Sequence, residues 1–275
     1  MQFFSNDEEY FKGIDHYFDS FSNSTKKKFE KSATYFTDLK SPKRLKTFLP
    51  RAKVIAVLLE PAERAYSWYQ HQVAHNDPAA ISNSFYDILT SQPSDGDRWR
   101  LKMHCLQPGE YIDHLKRWFE YFGDGNVITL DGNLLKTDPI KVMNKLQIDL
   151  GLQLFYKDYS DIIEYKETKG YFCLKGKTEG TLGVCLGRGK GRDYPEMDQA
   201  SKQFLADYYH DFNQERLQIS VRRRPQMYPV PVRFIVLGLL GSFKDPGSLY
   251  VASTKDLETF LLSTGKTLPS WLEKK

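Results

Sequence analysis

The stretch CLGRGKGRDYP, residues 185–195, has three glycines that alternate with basic residues. Glycine allows successive backbone N–H groups to point inward, and such groups form a concave site for an anion. Arg188 and Arg192 add forked donors that match phosphate oxygens, and Lys190 adds a compact positive charge. These residue types in this order predict a phosphate-binding loop, and the alternative is an ordinary solvated turn.

A second candidate for phosphate binding is Ser67. The apolar run AKVIAVLLEP, residues 52–61, predicts a buried strand that ends at Glu60 and Pro61. Residues 63–76 predict a helix that starts near Pro61, a favoured first-turn residue. Ligands of parallel sheets bind at the carboxyl ends of the strands, and helix N-termini attract anions. We therefore expect Ser67, in the first turns of this helix, to lie on the ligand side of the sheet.

Strand and helix patterns continue to alternate along the chain. Residues 126–132 predict a second buried strand, and helices are predicted over 109–123, 138–152 and 196–217. This alternation indicates an α/β fold with a mostly parallel central sheet flanked by helices.

The segment 218–256 resembles neither of its neighbours. It contains four prolines, a run of arginines and an apolar patch without clear periodicity, so we expect most of it to be irregular or poorly packed. Residues 257–275 then predict a helix followed by a turn. The chain is thereby divided into a domain over 1–217, an insertion over 218–256 and a C-terminal helix and tail over 257–275.

The composition excludes several classes of protein. With 275 residues, 40% of them hydrophobic and 14% aromatic, the chain can bury a sizeable core and is not intrinsically disordered. The formal net charge of +4 does not indicate a nucleic-acid-binding domain, and the arginine run 222–224 is interpreted as solvated charge. No pair of Cys or His has the spacing of zinc ligands. No apolar run is long enough to span a bilayer, and the N-terminus lacks the pattern of a signal peptide.

Signals for the cellular compartment disagree. A chain with neither a signal peptide nor a membrane segment is expected in the cytosol. However, Asn23 begins the glycosylation sequon Asn-Ser-Thr, which functions only in the secretory pathway. Cys173 and Cys185 bracket a short loop, and a disulfide between them would stabilise it by about 3 kcal/mol. Two free thiols are the alternative in a reducing cytosol.

Five segments of the chain together resemble a known family. They are FEKSATYF (29–36), EPAERAYSWYQHQVAHNDP (60–78), VITLDGNLL (127–135), CLGRGKGRDYPEMD (185–198) and KTLPSWL (266–272). In this order they resemble the sulfotransferase domain of heparan sulfate N-deacetylase/N-sulfotransferases. The resemblance implies a P-loop NTPase-like α/β fold that binds 3′-phosphoadenosine 5′-phosphosulfate (PAPS) and needs no metal. It also implies transfer of a sulfo group to the glucosamine nitrogen of a heparan sulfate or heparosan polysaccharide in the Golgi lumen, with no nucleic acid as partner.

The resemblance implies roles for residues at the cofactor. Ser67 matches the serine that contacts the 3′-phosphate. The loop around that phosphate and the adenosine is matched by Lys190, Gly191, Arg192, Asp193 and Tyr194.

Four further positions carry over from the family. Cys173 and Cys185 match the cysteines of its disulfide. Phe172 falls where the family has a tryptophan near the nucleotide, and a phenylalanine ring still stacks but has no indole N–H donor. His71 matches a histidine near the acceptor sugar and the sulfo group, and is the candidate for a catalytic role.

The chain departs from the family's pattern in three respects. Glu60 replaces an asparagine and Asp193 replaces a usually basic residue, and each carboxylate would repel a nearby phosphate. The chain has no Gly-x-x-x-x-Gly-Lys-Ser/Thr sequence, so we expect the family's first strand and its Lys-Thr-Gly-Thr-Thr loop, with the catalytic lysine, to lie upstream of Met1. The enzyme interpretation therefore competes with a non-catalytic fragment or module that binds nucleotide or polyanionic sugar.

Overall fold

The computed structural model describes residues 2–21, 27–152, 159–168, 171–176, 183–185, 194–214 and 234–238. The helices are α1 (Asp7–Phe11), α2 (Ile14–Asp19), α3 (Ser41–Phe48), α4 (Pro61–Ala74), α5 (Pro78–Ser82), α6 (Phe85–Thr90), α7 (Asp97–Leu106), α8 (Tyr111–Phe122), α9 (Gly132–Thr137), α10 (Pro139–Asp149) and α11 (Gln199–Gln214). The strands are β1 (Phe29–Ser32), β2 (Lys53–Leu58), β3 (Val127–Asp131), β4 (Ile163–Lys166), β5 (Tyr171–Leu174) and β6 (Phe234–Gly238). The predicted helix over 257–275 lies outside the described residues.

The two strands and four helices predicted from periodicity are confirmed. They are β2, β3, α4, α8, α10 and α11, with ends that differ from the prediction by a few residues. The strands show continuous apolar runs, and the helices bury apolar residues at helical spacing. In α8, for example, Ile112, Leu115 and Phe119 recur at helical spacing and are all buried.

A parallel sheet with strand order β1, β6, β2, β3 forms the centre of the fold. Side chains of β2 alternate between its two faces. Ala56 and Leu58 belong to one buried cluster with residues of α8, whereas Ile55 and Val57 belong to a second cluster with residues of α10. Because both faces are covered, the strand reads as one continuous apolar run, and the predicted α/β class with a parallel sheet is confirmed.

The strand β6 differs from what the sequence led us to expect for its segment. Phe234–Gly238 pairs in parallel with β1 on one side and with β2 on the other, whereas irregular structure is expected for 218–256. The run FIVLG has no proline, and a position between two strands pairs its backbone groups on both sides. Gly238 lies opposite Val57, so β6 and β2 end almost level. The rest of that segment lies outside the described residues.

Two further elements lie beside the sheet. The antiparallel pair β4–β5 forms a hairpin, and β5 lies against α9, the helix that follows β3. α11 packs on α4 and α6. Tyr209 of α11 donates a hydrogen bond to the carbonyl of Leu106 (3.0 Å). Within the described ranges, no helix is both long and apolar enough to cross a membrane.

Candidate functional site

The carboxyl edge of the sheet is built from two strand-to-helix turns. β2 leads through Leu59 and Glu60 into α4, and β3 leads directly into α9. The turns are in close contact, because a Cβ on Gly132 would lie 2.8 Å from the carbonyl oxygen of Leu58. Only a residue without a side chain fits there, so Gly132 allows the two turns to pack this closely.

Glu60 caps the first turn of α4. Its side chain accepts a hydrogen bond from the N–H of Glu63 (2.6 Å) and also from that of Ala62. Pro61 has no N–H, and the N–H of Arg64 donates to the carbonyl of Glu60 (3.0 Å). The free donors that make a helix start an anion site are therefore already paired within the chain.

This capping corrects the expectation that the start of α4 is open to phosphate. The anion bound by the helix start is the chain's own carboxylate. Glutamate directly before Pro61 was the sequence signal for it, because proline at the first helical position places the preceding residue at the cap. From the sequence, Glu60 was expected only to repel a nearby phosphate.

Ser67 lies in the second turn of α4, beyond the capped first turn. It is 3% exposed, and its hydroxyl is hydrogen-bonded to the hydroxyl of Tyr194. Burial raises the pKa of Tyr194 above its ordinary value, so the phenol is neutral and adds no negative charge beside Ser67. Ser67 thus offers a hydroxyl side chain rather than the donors of a helix terminus, and its contact with a phosphate stays a prediction.

Tyr194 and Pro195 fix the end of the glycine-rich loop to α4. The ring of Tyr194 packs edge-on against the ring of Tyr66 at 5.6 Å, and the hydroxyl of Tyr66 donates to the carbonyl of Pro195 (2.9 Å). Together with the bond to Ser67, these contacts hold the chain at the point where it leaves residues 186–193.

The start of the same loop is fixed to the hairpin. Cys173 of β5 and Cys185 form a disulfide, which confirms the pairing that the family resemblance implies. Beside it, the N–H of Leu174 donates to the carbonyl of Val184 (2.9 Å). Both ends of the glycine-rich loop are therefore fixed. Cys185 is held by the disulfide, and Tyr194 and Pro195 are held by hydrogen bonds and ring packing.

The remaining predicted nucleotide residues are only partly described. Phe172 lies on β5, one residue before the disulfide, with its ring edge-on to Tyr165 at 5.3 Å. Lys190, Gly191, Arg192 and Asp193 of the loop, and Asn23 of the sequon, lie outside the described residues. Their assigned roles remain predictions.

His71 lies one turn after Ser67 on α4, in a row of three rings in contact. Its ring is 5.2 Å from that of Trp68 and 3.9 Å from that of His75. Trp68 is 37% exposed. The spacing of three and four residues places the rings on one face of the helix. The sequence analysis singled out His71 alone, although this spacing was a signal for all three.

Lys31 is a further cation at the ligand edge that the sequence analysis missed. It is the next-to-last residue of β1, and it is exposed while its neighbours Glu30 and Ser32 are buried. The sequence pattern that could have identified Lys31 is a lysine near the carboxyl end of a parallel strand. Among the residues that the structure describes, no group of three or more His, Cys, Asp or Glu side chains has the arrangement of a metal site.

Several known proteins resemble this chain in sequence. Human bifunctional heparan sulfate N-deacetylase/N-sulfotransferase 3 is 44% identical over 223 residues, which is 78% of this chain and 25% of that protein. Form 2 from Bos taurus is 46% identical over 220 residues, 78% of this chain and 24% of that protein. The chain therefore spans about a quarter of the length of these relatives.

Two further comparisons concern the domain itself. A solved sulfotransferase from Alicyclobacillus acidocaldarius matches with a TM-score of 0.40 and 22% identity, over 50% of this chain and 54% of that one, a likeness too low to support an argument. The family described as "Sulfotransferase domain" matches residues 1–220. Since that match covers most of the 275 residues, this chain belongs to the sulfotransferase domain family.

Proposed function

We propose that this chain is the sulfotransferase part of an enzyme that transfers a sulfo group from PAPS to the glucosamine nitrogen of heparan sulfate. The names of its relatives, heparan sulfate N-deacetylase/N-sulfotransferases, support a heparan sulfate acceptor, and the sulfotransferase domain family supports PAPS as the donor. The observation that carries the proposal is that the residues on both sides of 186–193 are fixed. Cys185 is bonded to Cys173, and Tyr194 is hydrogen-bonded to Ser67. A glycine-rich basic loop held beside a buried hydroxyl is suited to enclose a phosphate.

The described residues fit the 3′-phosphate end of such a nucleotide. Ser67 and Tyr194 supply neutral hydroxyls, and the sequence of the loop supplies Lys190 and Arg192 as cations. PAPS supplies the sulfo group when it is bound. This chain's residues orient the nucleotide, and the parallel sheet with α4 at its carboxyl edge supports the finer assignment of a P-loop NTPase-like fold.

The row Trp68, His71 and His75 is the proposed contact for the acceptor sugar. An exposed tryptophan face attracts cations, and a glucosamine nitrogen is a cation before it loses its proton. His71 is one turn from Ser67, so the acceptor would lie beside the nucleotide.

The proposed compartment is the Golgi lumen. The disulfide between Cys173 and Cys185 supports it, because disulfides form and persist in oxidising compartments and are rare in the cytosol.

Binding of adenosine 3′,5′-bisphosphate, measured by calorimetry, tests the proposal. We expect Ser67→Ala and Lys190→Ala each to weaken binding several-fold. Matched controls are Ser91→Ala, at another buried serine, and Lys141→Ala, at an exposed lysine of α10, which should bind like the parent. If the parent binds no nucleotide, or if both site variants bind like the parent, the proposed site is wrong.

A second candidate function is a module that binds nucleotide or polyanionic sugar without turnover. The capping carboxyl group of Glu60 beside the site favours it, because its ionised form opposes a phosphate. The two functions are distinguished by sulfo transfer to N-deacetylated heparan. Nucleotide binding without transfer would favour the module.

A further inference from the structure

Glu60 is a buried carboxylate at the ligand edge, with little positive charge around it. It is 6% exposed. The titratable groups that face it are Glu63 and Arg64 of α4, Tyr111 of α8 and Tyr209 of α11. Arg64 is the one cation in this set, and its guanidinium also donates to the carbonyl of Cys105.

The surroundings of Glu60 favour its neutral form. Burial raises the pKa of Glu60 to about 7, and the nearby charge of Glu63 adds to this, while hydrogen bonds from the N–H groups of Glu63 and Ala62 and the charge of Arg64 oppose it. Burial also raises the pKa of Glu63, which Lys136 of α9 opposes. The site therefore holds two carboxylates that resist ionisation.

We propose that binding of a phosphate beside Ser67 is coupled to proton uptake by Glu60, which reaches about half a proton per site near neutral pH. The inference rests on the proposed function, since it assumes that Ser67 contacts a phosphate. Ser67 follows Glu60 by seven residues, or about 10 Å along α4, and lies on the same face of the helix. Two negative charges about 10 Å apart in a partly buried site disfavour each other by roughly tenfold.

The coupling has a defined direction. A bound phosphate makes the ionised form of Glu60 less favourable, so binding draws a proton onto the carboxylate. By linkage, the protonated protein binds the phosphate more tightly. A tenfold interaction centred near neutral pH makes the affinity about fivefold higher at pH 6 than at pH 8 from this group alone.

The test is calorimetry of adenosine 3′,5′-bisphosphate binding at pH 6, 7 and 8, in buffers of different ionisation enthalpy, which counts the protons taken up. Glu60→Gln keeps an oxygen that accepts the capping hydrogen bonds but does not titrate. The ligand's own phosphates titrate near pH 6 and contribute equally to both proteins. We expect the parent to take up more protons than Glu60→Gln and to lose about fivefold more affinity between pH 6 and pH 8. Glu60→Asn, a second neutral cap, should behave like Glu60→Gln.

Two further variants locate the proton. Asp131→Asn changes a carboxylate that caps α9 at the neighbouring turn but is partly exposed, and it should keep the parent's proton uptake. If Glu63→Gln abolishes the uptake and Glu60→Gln does not, the proton belongs to Glu63 and the inference is wrong. Equal uptake by the parent and Glu60→Gln would overturn the inference and leave the proposed function intact. If the parent binds no nucleotide at any pH, the proposed function fails and the coupling fails with it.

Discussion

The hydroxyls of Ser67 and Tyr194 are hydrogen-bonded, and this contact joins α4 to the end of the glycine-rich loop. Ser67 is almost fully buried, and the hydroxyl of Tyr66 donates a second hydrogen bond, to the carbonyl of Pro195. The disulfide of Cys185 holds the other end of the loop on the hairpin. The residues on either side of 186–193 are therefore held by two different elements, the hairpin and α4.

Removal of the hydroxyl of Tyr194 should weaken the attachment of the end of the glycine-rich loop to α4. Tyr194→Phe keeps the ring packing against Tyr66 but loses the bond to Ser67. We expect affinity for adenosine 3′,5′-bisphosphate to fall roughly threefold to tenfold, the worth of one hydrogen bond. Calorimetry measures this, with Tyr86→Phe, at an exposed tyrosine of α6, as the control. Unchanged binding by Tyr194→Phe would show that the bond does not position the loop.

Loss of the disulfide should weaken both stability and nucleotide binding. The bridge links cysteines 12 positions apart, and closing a loop of that length contributes about 3 kcal/mol. The double variant Cys173→Ser with Cys185→Ser should lower the free energy of urea unfolding by about that amount. Dithiothreitol should destabilise the parent but not the double variant. A parent that is insensitive to the reductant would contradict a stabilising bridge.

His71 should affect the acceptor and not the nucleotide. Its ring is stacked on Trp68 and packs at a tilt against His75, on the exposed side of α4. We expect His71→Ala to bind adenosine 3′,5′-bisphosphate within about twofold of the parent but to lose affinity for an N-deacetylated heparan oligosaccharide. His104→Ala, at an exposed histidine of α7, is the control. Equal loss of both ligands would indicate a structural role.

Gly132 should not tolerate a side chain. A methyl group there would meet the carbonyl oxygen of Leu58 at 2.8 Å, and backbone atoms of a buried strand cannot move away cheaply. Gly132→Ala should therefore destabilise the protein by about 1–3 kcal/mol in urea unfolding. Gly125→Ala is the matched control, because a Cβ at that position has no neighbour within 4 Å. Similar stabilities for the two variants would contradict the close approach of the turns.

Glu60 should make stability depend on pH in a defined window. The pKa of Glu60 is raised by burial from 4.5 to about 7, so between these values the folded protein holds a proton that the unfolded chain has released. Its contribution therefore lowers the unfolding free energy as pH rises from about 4.5 to about 7, by about 3 kcal/mol in all, and is constant above that range.

Comparison with a non-titrating variant isolates this contribution. Urea unfolding of Glu60→Gln should lack the decline, whereas Glu120→Gln, at an exposed residue of α8, should retain it. Identical pH profiles for the parent and Glu60→Gln would contradict the raised pKa.

The sequence alone determined the elements whose signal is local. β2 and β3 are continuous apolar runs, and α8 repeats its buried residues at helical spacing, so each could be assigned without knowledge of its neighbours. The α/β class and the ligand edge followed from their alternation. The resemblance of the motifs added the disulfide and the candidate residues.

Only the tertiary structure decided the contacts between distant segments. It placed β6 between β1 and β2, bonded Ser67 to Tyr194, and paired the first turn of α4 with Glu60. The five-residue run that forms β6 is too short to show a periodicity that would predict a strand. The sequence also does not show which group the hydroxyl of Ser67 will bond to. These contacts form because polar groups that become buried on folding need hydrogen-bond partners, and the partners come from segments that are distant in the sequence.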